Sequence, residues 1–155
     1  FYDQTNTSKS LLKALRASAN GGVLWLNGDV VFDPEVLKRV KPLIDEDQSF
    51  VVVNTAKVGD EEVKYTLDRA GFVAELSKQV SPALGEAVGI NFVSSKDKPT
   101  LIERLAQVAD SDYFERGIEL AIGKDDMRFR AVDISDLFAV EVDFDEDLDR
   151  ANEHV

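Results

Sequence analysis

Two short, unbroken apolar runs, Val23-Leu24-Trp25-Leu26 and Phe50-Val51-Val52-Val53, constrain this chain most. Each is too short for a helix, and continuous apolarity means that both faces need cover, as in a strand with layers on either side. The sequence around them has the other period. Leu11, Leu12, Leu15 and Ala19 recur at helical spacing after the cap-forming Thr5-Asn6-Thr7-Ser8, and the pattern stops at Asn20-Gly21-Gly22. Asp33 precedes Pro34 and a stripe of Val36, Leu37 and Val40, the chemistry of a capped helix start. Helix and strand alternating in this way predict an α/β fold.

From Val63 the apolar residues alternate: Val63, Tyr65 and Leu67, then the turn-forming Asp68-Arg69-Ala70-Gly71, then Phe72, Ala74 and Leu76. Residues 62 to 77 therefore read as an antiparallel hairpin. Glu86 to Phe92 is another strand. Helical spacing returns at Leu101, Ile102, Leu105 and Val108, and again at Phe114, Ile118 and Ala121. Strands follow near 129 to 134 and 137 to 142, then a short acidic helix. The strands near 23 to 27, 50 to 53, 86 to 92 and 137 to 142 are expected to be neighbours in one mixed sheet, with the hairpin to one side. At 155 residues, one domain should account for 1–155.

The chain has no cysteine and a single histidine, His154, which excludes thiolate and histidine-cluster metal sites, so any metal must sit on oxygen. A formal charge of -12 offers no positive field for nucleic acid. No apolar run approaches a membrane span and no basic-apolar leader is present, so the expected location is cytoplasmic, with oligomerisation left open. In open α/β sheets ligands bind beyond the carboxyl ends of strands, which directs attention to Asn27-Gly28-Asp29. Gly28 lets the backbone approach a ligand, and Asp29 offers a carboxylate to a hard cation; the competing reading is a plain turn. Asp33 is better explained as a helix cap than as a ligand. In the acidic stretch from Glu141 to Asp149, caps and the helix dipole account for most charges. No glycine follows at the sixth position and no glutamate at the twelfth, which excludes a calcium loop. Glu141 and Asp143 alternate at the end of an apolar strand and so share one face.

Together these segments resemble the sugar-phosphate and phosphocholine nucleotidyltransferases, the cytidylyltransferase branch in particular. Leu24-Trp25-Leu26-Asn27-Gly28-Asp29-Val30-Val31-Phe32-Asp33 resembles the strand delivering the metal-binding aspartate. Ser77-Lys78 resembles the phosphate-contacting lysine, and Gly85-Glu86-Ala87-Val88-Gly89-Ile90 the acceptor-binding element. Asp112-Tyr113-Phe114-Glu115 resembles a helix start of this branch, and Glu141-Val142-Asp143 with Glu146-Asp147-Leu148 the second metal element. The resemblance implies a glycosyltransferase-A-like, Rossmann-like α/β fold with a mixed, mostly parallel sheet flanked by helices. It implies Mg²⁺ held by Asp29, Asp143 and Glu141, phosphate contact by Lys78, and acceptor contacts by Glu86, Gly89 and Tyr113, with Tyr2 or Tyr113 offering a cation–π face. The activity implied is transfer of a nucleoside monophosphate, CMP from the triphosphate CTP, to a phosphorylated small-molecule acceptor such as phosphocholine, a sugar phosphate or an inositol phosphate, with release of pyrophosphate.

The family's opening strand and glycine-rich Arg/Lys loop, which hold the nucleotide triphosphate, have no counterpart here, since Gly21 and Gly22 end a helix. The chain resembles the later two-thirds of the family, and this piece alone is expected to be inactive. Two alternatives stay open. A metal-dependent glycosyltransferase of similar fold would carry Asp-x-Asp after a strand, whereas Asp29 is followed by Val30-Val31. A non-catalytic ligand-binding or assembly domain would lack the nucleotide loop; the reading frame upstream of Phe1 discriminates it.

Overall fold

The computed structural model describes residues 7–28, 30–55 and 62–141, the side chains of Val140 and Glu141 excepted. Helix α1 (Thr7–Ala17) leads into β1 (Val23–Leu26) and β2 (Val30–Phe32), then α2 (Glu35–Asp45) and β3 (Phe50–Asn54). The hairpin β4 (Lys64–Leu67) and β5 (Val73–Ser77) is followed by the long β6 (Gly85–Val93), α3 (Lys98–Gln107), α4 (Phe114–Asp125), β7 (Arg130–Asp133) and β8 (Ala139–Glu141). Among the described residues no helix is long and apolar enough to cross a membrane.

β3 organises the layers. Its residues are buried throughout, with Val51 and Val53 in a core shared with α1, α3 and α4, and Phe50 and Val52 in a second core beneath α2 and β2. Period-two alternation thus turns the FVVV run into two opposed apolar faces. Each such side chain contributes roughly 1.5–3 kcal/mol relative to exposure. β1 differs from the expectation of burial on both faces. It is half-buried, Leu26 is 41% exposed, and its pairing among the described residues is with β6 alone. An edge position leaves such a run half covered.

The main sheet has the order β5-β4-β6-β3-β7, with β1 also on β6. The mixed sheet agrees with expectation, but its pairings are not mostly parallel: only β3 with β7 is parallel, and the other pairings in this sheet are antiparallel. The reason is that β1, β3, β4 and β7 run one way while β6 runs the other and sits between them, separating strands that point alike. Strand 137–142 does not join this sheet as expected. β8 leaves it to pair with β2 in a two-stranded ribbon, and β7 takes the place beside β3.

The hairpin forms where alternation and Asp68 dictate. The Asp68 carboxylate accepts bonds from the backbone N–H groups of Ala70 (2.9 Å) and Phe72 (3.0 Å), and Gly71 takes the positive φ of 90° that closes the turn. A register shift between Thr66 and Leu67 changes the phase of β5, so Val73 and Leu76 are buried instead of Phe72, Ala74 and Leu76. The tip curls back over the sheet, Val73 donating to the Phe129 carbonyl at 2.9 Å, with Phe72 beneath the guanidinium groups of Arg128 and Arg130. The opposite end of β5, from Leu76 onward, forms one wall of the site.

Candidate functional site

One edge of β6 is shared by two strands. β1 pairs with Ile90 to Val93 and β4 with Gly85 and Glu86. In the interval between them, Asn27 donates its backbone N–H to the Gly89 carbonyl and Ala87 donates to the Val63 carbonyl, both at 2.8 Å. The carboxyl end of β1 therefore meets the start of β4. Gly89 has a φ of 89°, and a Cβ there would lie 2.7 Å from the Asn27 amide nitrogen. Only glycine permits that approach without strain.

A cleft of about 430 Å³ opens between the end of β5 and the start of α4. Lys78 stands on one side and Tyr113 on the other, the ammonium 4.8 Å from the ring centroid and 3.5 Å from the phenolic oxygen. The α4 side is set by packing: Phe114 is buried edge-on against Trp25, with ring centroids 5.6 Å apart, and its backbone N–H donates to the Thr7 hydroxyl at 3.1 Å. That anchor holds the preceding Tyr113 at the cleft. The Glu119 carboxylate accepts from the Leu76 backbone N–H at 2.9 Å and is 3.4 Å from the Arg116 guanidinium, so it ties helix to hairpin. The Trp25 indole N–H is buried without a hydrogen-bond partner.

Glu115 sits in the cleft wall with only 9% of its surface exposed. Loss of solvent pushes its carboxyl up to about 7; its own backbone N–H and the Lys78 charge oppose this, while Glu119 adds to it. From sequence Glu115 enters only as part of a helix start, with no site role, because it lies just off the Phe114, Ile118, Ala121 stripe. It is buried because the hairpin, distant in sequence, packs against α4. Lys64 was likewise missed. Its ammonium donates to the carbonyls of Lys78 (3.0 Å) and Glu62 (3.2 Å), and the residue is 8% exposed.

Of the residues singled out from sequence, Lys78 and Tyr113 come together here. Glu86 does not line this cleft. It pairs across the strands with Lys64 and Asn54, and Lys64 in turn with Ser77, a polar row that runs across the sheet. Gly89 packs on Asn27. The Asp33 carboxylate accepts from the Glu35 backbone N–H at 2.9 Å, the helix-start role expected of it. Asp29, Asp143, Tyr2, the Glu141 side chain and the acidic C-terminal helix lie outside the described residues. Among the described residues no three metal-binding side chains cluster.

No protein-family model matches the sequence, and no curated protein does. Solved structures do match. An inositol-1-phosphate CTP transferase from T. maritima superposes with a TM-score of 0.75 at 14% identity, covering 93% of this chain and 58% of that one. The fold is that of the sugar-phosphate nucleotidyltransferases. A UDP-glucose pyrophosphorylase complexed with UDP-glucose gives a TM-score of 0.71 at 13% identity over 98% of this chain and 62% of its own. A putative glucose-1-phosphate thymidylyltransferase from Bacillus anthracis gives 0.70 at 13% over 99% and 62%. The chain thus carries the nucleotidyltransferase fold over nearly its whole length while spanning less than two thirds of the length of these structures.

Proposed function

We propose that this chain is the acceptor-binding and metal-binding part of an enzyme that transfers a nucleoside monophosphate, CMP from CTP, to a phosphorylated small molecule, releasing pyrophosphate. The phosphorylated acceptor is phosphocholine, a sugar phosphate or an inositol phosphate. In this reading the acceptor's phosphate oxygen attacks the nucleotide's α-phosphorus in line. Both partners are anionic, so the protein's tasks are to position them and to neutralise charge. Lys78, at the mouth of the cleft, contacts the acceptor phosphate, and Tyr113 borders the rest of the acceptor. Asp29, Asp143 and Glu141 would hold Mg²⁺, which when bound supplies electrostatic stabilisation of the phosphates. An all-oxygen donor set suits that hard cation.

The observation that carries the reading is the β2–β8 ribbon, in which Val30 pairs with Glu141. Asp29 directly precedes the first of these residues and Asp143 follows the second by two, so a pairing between segments far apart in sequence supports convergence of the two acids. NMR titration with Mg²⁺ should shift the amides of Gly28, Val30 and Glu141 together, and Asp29→Asn or Asp143→Asn should abolish all three shifts. In the full-length enzyme, Asp29→Asn should lower kcat far more than it lowers Tm. Independent responses of the two segments to Mg²⁺, or normal turnover by Asp29→Asn, would remove the metal assignment.

A further inference from the structure

Glu115 is a buried carboxylate in the wall of a cleft that also holds Lys78, Asp112, Arg116 and Glu119. Arg116 and Glu119, on the same helix, lie 3.4 Å from each other, and the second Glu119 oxygen holds the Leu76 N–H. Asp112, in the lead to α4, adds negative charge, and Val63 and Leu76 are apolar. Among the described residues no cation lies within ion-pair distance of Glu115. The cation across the cleft is Lys78, held by a ring face and a phenol oxygen rather than by a carboxylate.

We propose that Glu115 is a positioning residue that governs Lys78: ionised, it draws the ammonium towards the cleft wall, and protonated, it releases the ammonium to the anionic group of the acceptor. This rests on the reading of Lys78 as the phosphate contact. Physically, an ionised carboxylate in a poorly solvated wall competes with a bound anion for one cation, and a neutral one does not. Anion binding and protonation of Glu115 then favour each other, in the pH range around its raised value of about 7.

The test is NMR titration of the protein with sulfate, which stays dianionic where phosphate esters change charge, read at the amides of Ser77, Lys78, Gln79 and Tyr113. Between about pH 5.5 and about pH 8.5 the wild-type affinity should weaken roughly fivefold, the effect of one partly screened charge interaction. Glu115→Gln should keep the acid-side affinity throughout, and Lys78→Met should lose these shifts. Should Glu115→Gln fold poorly, the wild type without ligand is followed instead: the Glu115 carboxyl carbon and the Lys78 side-chain resonances should titrate with one midpoint. Binding that needs Lys78 but has the same pH dependence in Glu115→Gln, or separate midpoints for the two side chains, overturns this inference and leaves the acceptor reading standing. Sulfate shifts indifferent to Lys78→Met, or absent at every pH, overturn both.

Discussion

At Glu115 the native state holds a proton that the unfolded chain releases. Its carboxyl moves from an ordinary 4.5 to about 7, mainly through loss of solvent. The stability tied to this group is fully present below pH 4.5, falls as pH rises, and is gone above about pH 7. The difference corresponds to about 3 kcal/mol at most. Asp136 has the opposite sign: the Arg39 guanidinium, at 2.7 and 2.8 Å, holds it down at about 2, so its contribution is lost only in stronger acid. Between pH 4.5 and 7, therefore, the Glu115 effect acts in a window that Asp136 does not touch. Thermal melts should show Tm of the wild type falling across this window, and Glu115→Gln should flatten the fall and be the more stable protein at pH 8. Equal slopes for the two proteins would mean that the carboxyl is better hydrated than its burial indicates.

At the scale of elements, α3 and α4 approach closely because Gly117 faces Leu105. A Cβ at Gly117 would lie 2.5 Å from a Leu105 methyl carbon, and Leu105 is fully buried. Gly117→Ala should improve local helix propensity by about 1 kcal/mol yet destabilise the protein by roughly 1–3 kcal/mol through overpacking. Chemical denaturation with an unchanged m-value would confirm it. A more stable Gly117→Ala protein would show that Leu105 repacks freely. The same contact bears on the site, since α4 carries Glu115 and Glu119 and follows directly on Tyr113. A shift of this helix should therefore also perturb the Lys78 resonances, whereas a substitution on the exposed face of α2 should not.

Across the whole molecule, the chain covers 58% and 62% of nucleotidyltransferase structures that it superposes on almost throughout. It contains no glycine-rich loop bearing arginine and lysine. The 155-residue chain by itself should release no pyrophosphate from any nucleoside triphosphate with phosphocholine or a sugar phosphate, in a coupled phosphate-release assay with Mg²⁺ present. Metal-dependent turnover by this chain would show that the nucleotide site lies within it.

What the sequence determined by itself was whatever depends on near neighbours. Asp33 caps α2 because its carboxylate reaches an N–H two residues on, Asp68 closes the hairpin in the same way, and the Leu11, Leu12 and Leu15 stripe predicts the buried face of α1. The two-sided apolarity of Phe50 to Val53 likewise predicted a strand between two cores. Tertiary structure alone decided which strands meet and which polar groups are enclosed. β6 runs against the strands on either side of it, which turns a set of mostly like-directed strands into mostly antiparallel pairs, and β8 finds β2 instead of the main sheet. Lys64 and Glu115 carry the residue types of exposed positions; Glu115 is buried because β5 packs against α4, and the Lys64 ammonium is taken up by the carbonyls of Glu62 and Lys78. Burial depends on what arrives from elsewhere in the chain, and no local pattern of residues records that.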